Sequence, residues 1–394
     1  MTVQPVEWAG LAAGVALVTG TLASVVHTLV LPRKPRGLAA RAPATVWAAH
    51  LAASRRLGRY ADKDRILALA APASLLALLA IWLITLLLGY ALILWPLGRQ
   101  TYGAAVVHAG SALFTLGLSS AGRPLATAVG FAAAATGLGI VALEIAYLPT
   151  LYSAYSRREA LVTLLEGRAG SPAWGVELLA RHQLAGILDR LPALYDEWER
   201  WAADVAESHT TYPVLAYFRS PRPLDSWITG QLAVLDSAAL YLAVCPSQAP
   251  SESRLCLRMG FTCLRDIADA LGIGYDPDPA PDGPIALSYR DFASAVGELL
   301  RVGFPVEQSA EAAWPQFRGW RVNYETIITE LATLLLAPPA PWTGRAAYVS
   351  ISPLRPVDRR PGLAGPPGQP RRRPSAQPGV PRFAGRARRG ARSR

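Results

Sequence analysis

The sequence predicts an all-helical membrane protein: three transmembrane helices plus one re-entrant helix and loop, then a helical cytoplasmic domain and a disordered tail. Three observations carry this. Residues 1–155 are mostly apolar, with their charges gathered in one loop. Residues 157–336 keep the apolar spacing of soluble helices and show no strand alternation. From Ala337 onward Pro, Gly and Arg dominate and the periodicity is lost. The expected divisions are 1–31, 32–65, 66–156, 157–336 and 337–394, with the re-entrant loop at 104–121.

The first span runs from Trp8 to Leu31, long enough for a bilayer that needs about 20 residues. Nothing basic precedes it and Glu7 does, which argues against a cleaved signal peptide. Gly10 and Gly14, four apart, would let a neighbouring helix come close. The loop from Pro32 to Arg65 follows. It holds Arg33, Lys34, Arg36, Arg41, Arg55, Arg56, Arg59, Lys63 and Arg65 against Asp62 and Asp64. Such a loop stays in the cytoplasm, which leaves the N-terminus outside. Within it, Pro43 to Tyr60 reads as an interfacial helix, with Trp47, Leu51 and Ser54 at helical spacing and Arg55, Arg56 and Arg59 as a basic face. A solvated basic loop is the alternative.

The second span covers Ile66 to Trp95 and the last covers Leu125 to Tyr152. Between them, Ala104 to Ser120 is apolar, short for a span, and ends in Gly, Ser and Ser. A full crossing there would export everything that follows. Re-entry instead returns the last span to the cytoplasm, where Arg157 and Arg158 meet the membrane face. Irregular backbone at membrane depth must be covered by protein or water, and a pore loop meets that condition.

Residues 66–156 resemble the two-helix pore module of tetrameric potassium channels, whose filters read Thr-Val-Gly-Tyr-Gly. Here Thr115, Leu116, Gly117 and Leu118 match the first four positions, and Ser119 replaces the second glycine. Ser111 sits where the pore helix often carries a hydroxyl. Gly139, with Gly137 close by, falls where inner helices carry a hinge glycine. More widely, the chain is similar to a bacterial ion-channel family in which a Thr-Leu-Gly loop leads to Tyr-Leu-Pro-Thr-Leu-Tyr (147–152), then Arg-Arg-Glu (157–159). The resemblance implies a pore module in a homotetramer, with Thr115 to Ser119 as selectivity filter and monovalent cations, K⁺ first, as the permeant species. In such filters backbone carbonyls replace an ion's hydration shell. Serine takes positive φ less readily than glycine, so Ser119 predicts weaker K⁺ selectivity.

Glu144 is the acid within the last span and lies seven residues after Gly137, on roughly the same helix face. An acid at that depth should face a bundle interior or water. It reads either as a cavity acid attracting cations or as an acid reaching water or pairing with a neighbouring subunit. Pro149, five further on, can bend the helix where a gate would lie. Gly137, Gly139 and Pro149 are therefore the expected gating hinge.

The domain at 157–336 reads as about six helices. Leu257, Phe261, Leu264, Ala268 and Leu271 form one apolar face, Leu194, Trp198, Trp201 and Val205 another, and Leu232, Leu235, Ala239 and Leu242 a third. Ser288 and Asp291 form a capping-box-like start. Ser208 beside His209 does not make a catalytic pair, because adjacent helical residues point apart. Asp276 to Gly283 lacks the ligand set of a calcium loop. Cys245, Cys256 and Cys263 contain no CxxC pair and read as buried thiols. No nucleotide motif appears, so no enzyme, cofactor or metal centre is expected.

The net charge of +11 misleads as a whole. Thirteen arginines fall in 345–394 against the single Asp358, leaving the rest of the chain close to neutral. The tail and the basic loop are expected to contact anionic lipid of the plasma membrane in preference to nucleic acid. The expected function is a tetrameric cation channel gated by the cytoplasmic domain. The alternative is a non-conducting scaffold or sensor that keeps the pore fold for oligomerisation and binds partners through the domain. The topology has a direct test. A reporter active only in the cytoplasm, fused after Leu336, should give signal; a silent cytoplasmic reporter with an active exported one overturns this orientation.

Overall fold

In the computed structural model, residues 5–31, 38–118 and 122–343 are described, and all their regular structure is helical. Ser119, the start of the basic loop and the Arg-rich tail lie outside the described residues. Four helices are long and apolar enough to cross a membrane: Pro5–Val30, Tyr60–Gly98, Pro124–Ala169 and Trp227–Val244.

α1 (Pro5–Val25) continues as a π-helical turn over Val26–Val30. α2 (Leu38–Ser54) and α3 (Tyr60–Ala68) occupy the basic loop, and α4 (Ala70–Gly98) follows. α1 lies against α4 through small residues. A Cβ on Gly14 would come within 2.6 Å of the Gly89 carbonyl oxygen, so only glycine permits this approach. Polar pairs add to the seam: the Thr21 hydroxyl donates to Thr85 Oγ1 at 3.1 Å, and Trp82 Nε1 donates to Ser24 Oγ at 3.2 Å.

α5 (Tyr102–Leu113) is half a span, about 18 Å at 1.5 Å per residue. Thr101 caps it by accepting from the Ala104 amide. It sits between α4 and α6 (Pro124–Ala169). α6 has 46 residues, about 69 Å, more than twice a hydrocarbon core. It runs unbroken past Tyr152, where the sequence places the end of the last span. Its buried stripe is Ala126, Gly130, Ala133, Gly137, Ile140, Glu144, Tyr147, Leu151 and Ala154, stepping by fours and threes.

Seven helices follow where the sequence suggests about six. They are α7 (Gly175–Leu184), α8 (Leu191–Thr211), α9 (Trp227–Val244), α10 (Glu252–Leu271), α11 (Tyr289–Arg301), α12 (Ala310–Arg321) and α13 (Glu325–Leu334). All 18 residues of α9 are buried, so the others wrap it on every side. An all-round apolar helix belongs in a core or a bilayer; this one has protein around it. Its one acid, Asp236, is answered within the protein. Arg321 Nη1 donates to both carboxylate oxygens at 2.7 and 2.6 Å, and the Tyr324 hydroxyl donates at 2.8 Å. Ser288 caps α11 by accepting from the Asp291 amide at 3.2 Å, as the spacing suggests. The three cysteines are buried and unpaired.

Three expectations change. Arg158 does not meet the membrane face: it is 0% exposed. Its guanidinium donates to the carbonyls of Leu215 (2.8 Å) and Phe218 (2.7 Å), to Glu159 and to His209, between the rings of Tyr155 and Trp227. Trp47 is not spent on lipid. It is buried, its Nε1 donates to the Leu334 carbonyl at 2.9 Å, and its ring packs on Tyr217. Arg219 then ties α3 to the chain after α13, donating to Asp64, Tyr60 and the Leu335 carbonyl. The domain also does not stop at 336. Ala337, Ala340 and Thr343 are buried, and the Trp342 ring meets Trp174 and Phe317 beneath Arg321.

Two outcomes follow from this packing. Truncation after Thr343 should leave helical circular dichroism unchanged, whereas Trp342→Ala should cost about 3 kcal/mol, the low end for a large aromatic, read by denaturant titration. The second concerns pH. Burial holds His182 below its ordinary pKa, and burial together with the Arg158 charge holds His209 well below it. The folded chain therefore binds fewer protons than the unfolded chain around the ordinary histidine pKa of about 6.5. Stability from these residues is complete above that pH and is lost as the pH falls through and below it. The unfolding temperature should drop between pH 7.5 and 5.5, both values bracketing that range, and His182→Phe should flatten the drop.

Candidate functional site

The loop after α5 is built by hydrogen bonds that wind the helix tightly to its end. Phe114 N donates to Gly110 O at 3.0 Å, Thr115 N to Ala112 O at 3.0 Å, and Leu116 N to Ser111 O at 2.8 Å. The backbone then turns left-handed at alternate residues, Thr115 at φ +55° and Gly117 at φ +68°. Glycine adopts that region freely; threonine does so at a cost of about 1–2 kcal/mol. A Cβ on Gly117 would meet nothing within 4 Å, so the dihedral alone calls for glycine there. Among the described residues, the carbonyls of Thr115, Leu116 and Gly117 accept no hydrogen bond. Leu116 and Leu118 are 58% and 74% exposed in the single chain. Ser119, the last residue of the expected filter, lies outside the described residues.

Two features support this loop from behind. The Tyr90 hydroxyl of α4 lies 2.8 Å from Thr136 Oγ1 of α6, clamping the two helices that flank α5. Gly137 lets α6 touch the very end of α5: a Cβ there would sit 2.1 Å from the Leu113 carbonyl oxygen. Gly137 therefore serves contact. Gly139 has open space around its Cβ position, and Pro149 lies within unbroken α6.

Glu144 is on the buried stripe of α6, 8% exposed, facing its own chain's interior. The residues of α6 that look outward, such as Phe131, Leu138 and Ile145, are apolar. Glu144 is turned away from that outward face within the single chain. It lines a cavity between the π-helical turn after α1, α2, α4, α6, and the ends of α8 and α10 with the turn that follows α8.

Sequence reasoning passed over two groups. His108, on α5, is buried against Gly130 of α6, and its Nδ1 has no hydrogen-bond partner among the described residues. Its signal was a lone imidazole in an apolar helix. The cavity around Glu144 joins residues nearly 250 positions apart, and no local pattern announces it. Ser208 and His209 do not point apart as expected: Ser208 Oγ lies 3.2 Å from His209 Nδ1, the same hydroxyl donates to the Asp204 carbonyl at 2.7 Å, and His209 Nε2 accepts from Arg158 at 2.9 Å, so the imidazole is held on both sides within the core. Among the described residues no cluster of three or more His, Cys, Asp or Glu could hold a metal ion.

Comparison of the chain with protein-family models, with curated proteins and with solved structures finds no match.

The packing and hinge roles of the two glycines separate by substitution. Gly137→Ala should lower stability by about 1–3 kcal/mol, the usual cost of overpacking, with a measurable fall in unfolding temperature. Gly139→Ala should be neutral or slightly stabilising, because alanine favours helix. Equal effects at both positions would overturn the contact role of Gly137.

Proposed function

We propose that this chain forms, from four copies of itself, a cation-conducting pore in the plasma membrane, with K⁺ as the preferred ion. Three of the four apolar helices cross the bilayer in this reading, and α9 stays within the helical domain, where protein already covers it. The N-terminus is outside and the domain is cytoplasmic. The observation that carries the reading is the loop itself. A half-length helix ends in a turn with left-handed backbone at Thr115 and Gly117 and with carbonyls that no amide of the described residues occupies. Strained backbone of this kind concentrates at working sites. Alternate-handed residues let successive carbonyls be aimed together, as a dehydrated cation requires. One such loop per chain closes a ring only with other copies, and four is the number in filters of this type.

The domain would control the pore through α6, which reaches both. The basic loop and tail would hold the assembly on anionic lipid. A second reading is a non-conducting scaffold with the same architecture. The exposed Leu116 and Leu118 favour it, since apolar side chains drive association whether or not ions pass.

Flux in liposomes decides between them. Purified protein should pass K⁺ faster than Na⁺. Gly117→Ala should abolish flux, because alanine at that φ costs about 1–2 kcal/mol in each of four chains. Ser119→Gly should raise the K⁺ to Na⁺ ratio. A tetramer that passes neither ion before or after Ser119→Gly leaves the scaffold as the function.

A further inference from the structure

Where the π-helical turn after α1 meets α4, α6 and the helical domain, the fold leaves a cavity of about 130 Å³. Glu144 lines it, more than nine-tenths buried, and makes no hydrogen bond or ion pair with any described residue. Tyr147 and Tyr217 line it too, also more than nine-tenths buried, and their hydroxyls find no hydrogen-bond partner among the described residues. Thr211 adds a further hydroxyl, and Leu75 and Leu78 form an apolar wall. The oxygens of these three side chains open onto one accessible space, where water or a ligand must supply the partners that the described residues do not.

The chemistry narrows the occupant. One carboxylate and no basic side chain line the cavity, so the complementary charge is +1. A divalent ion would want six or more oxygens and usually several carboxylates. A bare alkali ion gains nothing from the leucine wall. A primary ammonium offers three donors, enough for Glu144 and the two tyrosine hydroxyls. Its alkyl chain would lie on the leucines, and the tyrosine rings favour a nearby cation. Size sets the limit: a cavity of about 150 Å³ admits a benzene-sized molecule, so the ligand has roughly six heavy atoms or fewer.

We propose that the Glu144 cavity is a binding site for a small primary alkylammonium ion. The site is complete within one chain and does not depend on whether the loop conducts. Because spans and domain each contribute a wall, occupancy joins the two halves of the molecule.

The test uses the purified full-length chain in detergent, with n-butylammonium chloride as probe. Thermal unfolding and calorimetric titration are followed against KCl, NaCl and 1-butanol. Butylammonium should raise the unfolding temperature saturably, and the other three should not. Glu144→Gln keeps the shape and removes the charge; it should weaken binding about 100-fold, as loss of a buried charge partner does. Ala44→Phe, at an exposed position on the rim, should block binding while leaving the unliganded protein folded; it carries the test alone if Glu144→Gln misfolds. Equal stabilisation by KCl or NaCl would overturn the assignment to an amine. So would binding that survives both substitutions, or no saturable effect in the unaltered chain.

Discussion

Arg158 fixes the orientation of everything attached to α6. A guanidinium wholly removed from water is tolerable only when its donors are answered, since the desolvation of an ion is worth several kcal/mol. Here Glu159, two carbonyls and His209 answer them. The two carbonyls belong to the turn before α9, and the imidazole belongs to the end of α8, so one side chain holds two parts of the domain to one helix. Trp201 closes the arrangement by donating from Nε1 to the Arg158 carbonyl at 3.0 Å. Any rotation of α6 about its axis would break all of these at once.

That constraint reaches far up the helix. Glu144 lies fourteen residues before Arg158 and Gly137 twenty-one before, whole multiples of seven along one stripe. With Arg158 set inward, Glu144 is set toward its cavity and Gly137 toward the end of α5. The loop at Thr115 therefore inherits its position from an ion pair in a different part of the molecule. The apolar outward face of α6, with Phe131, Leu138 and Ile145, is set in the same way and is exposed in the single chain.

The sequence made much of this visible and left particular pieces hidden. The starts of α5 and α6 fall within two residues of the apolar pattern, because Thr101 and Pro124 punctuate the chain there. The shared face of Gly137 and Glu144 could be counted directly. The direction of that face could not, because it depends on Arg158, and a pair of arginines after an apolar run reads first as a membrane boundary. Trp47 reads as an interface anchor for a similar reason: its partner carbonyl is 287 residues away. The left-handed turn at Gly117 follows from the residue type, whereas the one at Thr115 opposes its type and is imposed by the hydrogen bonds that close α5. Trp342 was hidden inside a Pro-rich stretch whose composition argues against packing.

The unbroken length of α6 has a consequence for membrane thickness. A helix locked in phase at both ends can gain or lose residues between Gly137 and Arg158 only in steps close to whole turns, about seven residues being the shortest that keeps phase to within about 20°. Any other change swings one end about 100° per residue against its contacts. Seven residues are about 10.5 Å of rise, a coarse step beside the few ångströms by which bilayers differ. A shaft ruled in such steps is too coarse to be trimmed to one bilayer thickness, so a membrane-spanning α6 would meet a thicker or thinner bilayer by leaning.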